Sequence, residues 1–263
     1  MSKLLATSVL FVALANGSLL SGLQNVQGDH VASSQRRPFQ VDLAFYHEKN
    51  NSYQHWCSGS IISNEWVVTA GSCFDTRLRP KPNASLVIRA GRALEAGTVH
   101  SHQAIDKLEY YDWYFINEQG NISVNDIILL RVAKPFEFHE NLQPIQLYNQ
   151  DEESLPGSSA ILSGWVSAGN VQSPKNLDLS IISKYQCNIW LHGQLSYTGQ
   201  ICAVYDGSGP CPIQADLGSP LTINGRLAGI LSWGSNPCAP REEASIYADV
   251  AYYRDWIRNN TSV

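Results

Sequence analysis

Hydroxyl, imidazole, carboxylate and thiol groups are the side chains of this sequence that could do chemistry, and their spacing sorts the possibilities. Six cysteines could ligate a metal or pair as disulfides. No Cys-x-x-Cys pair occurs, so a metal site is disfavoured and none is expected. The even count fits three bridges with no thiol left over, and the sequence alone leaves about 15 pairings open. Acyl transfer would need a hydroxyl to attack, an imidazole to take its proton and a carboxylate to orient the imidazole. Of the seven histidines, His30, His47, His100, His102, His139 and His192 have no motif beside them and read as loop residues. His55 differs, standing directly before Trp56-Cys57. Asn50, Asn83, Asn121, Asn259 and Asn260 each begin an Asn-x-Ser/Thr triplet, which can carry a glycan on an exported chain.

Such groups must be positioned by strands, because strands dominate the chain. Pro38 to Phe45 alternates apolar positions, and Ser60-Ile61-Ile62 and Glu65 to Ala70 are short and β-branched. Leu86 to Ala90, Ile127 to Val132, Ala160-Ile161-Leu162 and Leu227 to Trp233 continue the pattern, with Gly, Pro, Asn and Asp between them. Many short strands at such spacing indicate an all-β barrel or sandwich. One helix is expected at the end, where Val250, Tyr253, Trp256 and Ile257 share a face. The polar stretch from Tyr148 to Ser159, ending near Pro156-Gly157, is the natural seam between two halves.

Composition narrows the partners. The chain has 263 residues, 44% hydrophobic and 16% charged, so it can bury a sizeable core. The net charge is -5 and the basic residues are scattered, which argues against nucleic acid and anionic membrane. Lys3 followed by an apolar run from Leu4 to Ala15 reads as a signal peptide over 1–15, with Ala13-Leu14-Ala15 as the cleavage motif. The run is too short to cross a bilayer, which needs about 20 apolar residues. Export would put the cysteines in an oxidising compartment.

Several motifs, in order, resemble those of the trypsin-like serine proteases. Trp56 to Ile62 with Trp66 to Cys73 resembles the first-barrel signature, and Asn125 to Arg131 the segment carrying the triad aspartate. Ser163-Gly164-Trp165, Ala215 to Leu221 and Ser232-Trp233-Gly234 are similar to later family motifs, and the likeness spans nearly the whole mature chain. The resemblance implies two six-stranded antiparallel Greek-key barrels with a C-terminal helix. The domain would span 25–260, with the first barrel over about 25–147 and the second over about 148–260. It also implies the pairs Cys57–Cys73, Cys187–Cys202 and Cys211–Cys238.

The same alignment implies that the chemistry is gone. Asp126 holds the aspartate position, but Ser72 stands where the family has its histidine and Leu217 where it has the nucleophile. A hydroxyl with a pKa far above neutral cannot serve as the base, and an aliphatic side chain cannot attack. Ala215 replaces the oxyanion-hole glycine, and two extra residues separate Cys211 from Asp216. The family's specificity position falls on Gly209 and a wall position on Ser245. The activation segment falls on Asn25-Val26-Gln27-Gly28 after Gln24, so no basic cut site would free an amine for Asp216. His55, or backbone amides of the 212–218 loop, is the expected substitute partner of Asp216.

The expectation is therefore a secreted, monomeric, non-enzymatic homologue without a cofactor. It would bind an extracellular protein, whether protease, zymogen or inhibitor, as regulator, cofactor or decoy in a protease cascade. Residual endopeptidase activity and recognition of a microbial or glycan surface are the alternatives. Tyr110, Tyr111, Trp113 and Tyr114, set among carboxylates, form a candidate interface. The competing reading is that half of these rings pack inward.

Overall fold

The computed structural model describes residues 37–75, 85–91, 101–112, 114–116, 122–168, 171–195, 198–205, 216–234 and 244–263. The expected signal peptide, Asn25, Asn83, Trp113, Asn121, Gly209, Cys211, Ala215 and Cys238 lie outside these residues.

Strands β1 (Gln40–His47), β2 (Ser52–Ile61), β3 (Trp66–Thr69), β4 (Ser85–Ala90), β5 (Ser101–Tyr110) and β8 (Ile128–Val132) close one antiparallel barrel in the order β1-β2-β3-β8-β5-β4. A short ribbon of β6 (Phe115–Ile116) and β7 (Ser123–Val124) leads from β5 to β8. Strands β9 (Ser159–Ala168), β10 (Val171–Ile182), β11 (Gln200–Val204), β12 (Pro220–Ile223), β13 (Arg226–Trp233) and β14 (Ser245–Asp249) close the second, in the order β10-β11-β14-β13-β12-β9. The fold is thus all-β with two six-stranded barrels and a terminal helix.

The barrels close because their strands carry apolar residues on the faces that must leave water. Val41, Leu43, Ile61, Val68 and Leu129 fill the first, and Leu162, Leu179, Leu221, Leu231 and Tyr247 the second. A third cluster around Cys187, Leu191 and Ile246 takes in Ile122 from the β6–β7 ribbon, so that ribbon is anchored on the second half of the chain. Gln200 Nε2 adds a buried bond to Ser123 O, 3.0 Å.

Helix α1 (Lys184–Trp190) is capped by Ser183, whose hydroxyl accepts from Gln186 N. Helix α2 (Val250–Thr261) starts at Asp249, which accepts from Ala251 N, and ends where Ser262 turns left-handed with φ 60°. It is four residues longer than the apolar pattern implied, and its buried residues are Val250, Ala251, Tyr253 and Ile257. Val250, Tyr253 and Ile257 pack on the first-barrel core and Ala251 on that of the second barrel, so α2 fastens the two halves together. In the seam, Glu152 pairs with Arg226 of β13. Cys57 is bonded to Cys73 and Cys187 to Cys202. Each bridge closes a short loop and constrains the unfolded chain by about 3 kcal/mol in the chain-entropy model. Among the described residues no helix is long and apolar enough to cross a membrane.

Candidate functional site

Asp126 owes its position to the turn before β8. Asn125 adopts φ 54°, a left-handed conformation that asparagine tolerates, and its side chain accepts from Tyr253 OH of α2 at 2.9 Å. The turn drives Asp126 inward until 2% of it is exposed. Ser72 meets it from the 3-10 turn Gly71–Phe74 that follows β3, and Ser232 from β13. Ser72 N–H donates to Oδ1 at 2.6 Å, Ser72 Oγ to Oδ2 at 3.0 Å, and Ser232 Oγ to Oδ2 at 2.6 Å. Burial pushes the Asp126 carboxyl up to about 6, and the Ser232, Ser72 and Gly71 donors hold the rise in check. The carboxylate is thus held by hydroxyls and amides from both halves of the chain.

Tyr114 covers this centre from the β6 side. A Cβ on Gly71 would stand 3.4 Å from both Asp126 Oδ1 and Tyr114 Cδ2, so the ring lies against the glycine. Its hydroxyl is 3.3 Å from Asp75 Oδ2. Burial and the nearby Asp126 and Asp75 carboxylates keep the phenol protonated.

Leu217 sits in a tight turn closed by Ser219 N–H to Asp216 O at 3.0 Å. The turn is pressed against β2, where Ser58 N–H donates to Leu217 O at 2.9 Å. Gly218 makes this approach possible. Its φ is +82°, and a Cβ there would come within 2.1 Å of Ser58 O and 2.2 Å of Thr69 Oγ1. The Leu217 side chain packs against the first-barrel core. The backbone that presents a side chain at this point is therefore well fixed, and the side chain presented is aliphatic.

Behind the turn runs a chain of alternating charges. Register places Arg89 of β4 opposite Asp42 of β1, and Arg89 NH1 donates to Asp42 Oδ2 at 2.9 Å. Asp42, fully buried, also contacts His55 Nδ1 of β2 at 2.6 Å. His55 Nε2 then lies 2.8 Å from Asp216 Oδ2, close enough for an ion pair although its N–H is poorly aligned for a hydrogen bond. Burial alone would lower the imidazole pKa, but the Asp216 and Asp42 carboxylates outweigh it and raise it to about 10. His55 is therefore an imidazolium at neutral pH, with a carboxylate on each ring nitrogen. The structure brings His55 and Asp216 together; Asp42 and Arg89 were not singled out from the sequence. The signal for Asp42 was a lone carboxylate inside the apolar run Val41 to Phe45.

The other singled-out residues divide. Gly234 has φ +99°, and a Cβ there would be 3.0 Å from Ser245 Oγ, so the buried Ser245 fills the space beside this strand end. Tyr111 turns inward, its ring edge-on to Tyr253 at 4.8 Å and to Trp256 at 5.4 Å. With Tyr114 lying over Gly71, two of the four candidate interface rings serve packing, because α2 offers them an aromatic stripe and Gly71 an open one. Tyr110 remains 43% exposed. Asn50 is exposed on the β1–β2 turn, and Asn259 and Asn260 lie on the last turn of α2. No cluster of potential metal ligands occurs among the described residues.

Known proteins share this architecture and sequence. The trypsin family model matches residues 26–257. Trypsin-3 of Salmo salar is 31% identical over 224 residues, covering 83% of this chain and 88% of its own length. Trypsin epsilon of Drosophila erecta is 30% identical over 267 residues, covering 95% and 94%. Kallikrein-related peptidase 10 superposes with a TM-score of 0.66 at 25% identity over 87% of this chain and 97% of its own. A likeness that runs from residue 26 into α2 in sequence, on a shared fold, is one of descent: the chain belongs to the trypsin-like serine protease family.

Proposed function

We propose that this chain is a secreted, glycosylated serine protease homologue that has given up proteolysis and acts by binding an extracellular protein, as regulator, cofactor or decoy in a protease cascade. One observation carries the reading. The carboxylate that would orient a catalytic imidazole is instead occupied by hydroxyls and an amide, and the fixed turn at Leu217 presents an aliphatic side chain. Ser72 Oγ donates its proton to Asp126 and has no basic lone pair of suitable pKa to offer a nucleophile. Triad members act as a unit, so losing base and nucleophile together removes on the order of 10⁶ in rate. Among the described residues the fold is meanwhile maintained by two disulfides, a helix that fastens both halves and a satisfied buried carboxylate, which suits a surface kept for recognition.

The purified exported chain is expected to leave peptide ester substrates uncleaved while retaining a protein partner when immobilised in its native fluid. Turnover of the ester that is blocked by a serine-directed inhibitor would overturn the inactive half of the reading. Failure to retain any protein would overturn the binding half.

A further inference from the structure

Three of the glycosylation triplets fall in described structure, and their geometries differ. Asn50 stands in the loop 48–51, which is exposed throughout and closed by the His47–Ser52 pairing of β1 with β2. Asn51 takes φ 50°, and its side chain accepts from Tyr46 OH at 3.0 Å, which fixes the turn. Ser52 Oγ donates to Asn50 Oδ1 at 2.8 Å. The hydroxyl is thus already turned onto the carboxamide two residues before it, through the carbonyl oxygen, and Nδ2 is left for solvent.

The triplets on α2 are built the other way. Residues i and i+2 of a helix do not face each other, so Thr261 cannot reach Asn259. Thr261 Oγ1 instead donates back to Ile257 O at 2.7 Å, and Asn260 Nδ2 donates to Trp256 O at 2.8 Å. One triplet has lost its hydroxyl to the helix and the other its amide.

We infer that Asn50 is an N-glycosylation site and that Asn259 and Asn260 are not. The inference rests on the reading that the chain is exported. The donor is a lipid-pyrophosphate-linked oligosaccharide of the secretory pathway. Asn50 Nδ2 bonds to the anomeric carbon, the bond from that carbon to the pyrophosphate oxygen breaks, the pyrophosphate leaves with the electron pair, and Nδ2 gives its proton to the transferase's base. The loop tip buries no apolar side chain, so it accepts the glycan without loss of packing.

The test is site mapping on the full chain secreted from a eukaryotic host, once with its own leader and once with a heterologous one. Enzymatic deglycosylation in heavy-oxygen water marks each formerly glycosylated asparagine as a labelled aspartate, read by peptide mass spectrometry. Label at Asn50 and none at Asn259 or Asn260 is the expected result. An exported chain with Asn50 unlabelled, or with label at Asn259 or Asn260, overturns the assignment. Retention with its own leader but export and Asn50 labelling with the other would overturn the export reading and sustain this one. Asn50→Gln and Ser52→Ala should each abolish the label at position 50, and Ser52→Thr should keep it. The wild-type map decides the matter even if a variant fails to fold.

Discussion

Replacing His55 with Asn removes the cation that lies between Asp42 and Asp216, and its cost can be worked from the structure. A folded pKa of about 10 against the ordinary 6.5 corresponds to at most about 5 kcal/mol of preference for the charged ring, since each pKa unit is about 1.4 kcal/mol. Because the folded value is the higher one, the native state holds the proton more tightly than the unfolded state. The contribution is complete below pH 6.5 and is lost as pH rises through about 10. Near neutrality, removing the ring also leaves Asp42, fully buried, with Arg89 as its remaining cation. Breaking a buried pair of this kind costs about 3–5 kcal/mol; the Asp216 side, 27% exposed, is screened and adds little. Urea unfolding of the disulfide-intact wild type and the His55→Asn variant at several pH values between 6 and 10 would measure this. The wild type should lose stability steeply across the window, and the gap to the variant should shrink with it. Parallel pH profiles for the two proteins, or a His55 ring titrating near 6.5 by NMR, would refute the reasoning.

Asp126 titrates with the same sign at lower pH. Its folded pKa of about 6 exceeds the ordinary 3.8, so its contribution is present below 3.8 and lost as pH rises through 6; Asp126→Asn should flatten that segment of the stability profile. Tyr111→Ala should cost about 2 kcal/mol in urea unfolding through lost contact with Tyr253 and Trp256, whereas Tyr110→Ala should change stability by less than about 0.5 kcal/mol. The double replacement Ser72→His with Leu217→Ser should not restore peptide ester hydrolysis, because Asp216 remains drawn to His55 and Tyr114 still covers the position beside Gly71. Turnover at the rate of an active trypsin would show that the surrounding scaffold is intact.

The strands that pack on both faces were the most legible from sequence. Leu86 to Ala90 reads as a strand and lies within β4, and the run from Ile127 leads into β8, because Leu86-Val87-Ile88 and Ile128-Leu129-Leu130 supply β-branched and apolar residues to mostly buried strands, with Arg89 and Arg131 as the polar exceptions. Strand β10 is harder to read. Its first half, Val171 to Asn176, includes Pro174 and is mostly polar, and only Leu177, Leu179 and Ile181 alternate. The candidate site was legible where a local motif marks it, at Ser72, Asp126 and Leu217. The partners that satisfy those residues are not local. Ser232 reaches Asp126 across 106 positions and Arg89 reaches Asp42 across 47, through barrel register that no short window of sequence encodes. Tyr111 and Tyr114 show the same limit, since their inward turn depends on α2 and on the missing side chain of Gly71.

The most direct measurement of the loss of proteolysis is the intact mass of the purified, exported chain after exposure to an active-site phosphonate, with an active trypsin treated alongside. The trypsin should gain one phosphonyl group, and this chain, with Leu217 in the turn and Ser72 bonded to Asp126, should keep its mass. A stoichiometric adduct on any serine of this chain would contradict the reading outright.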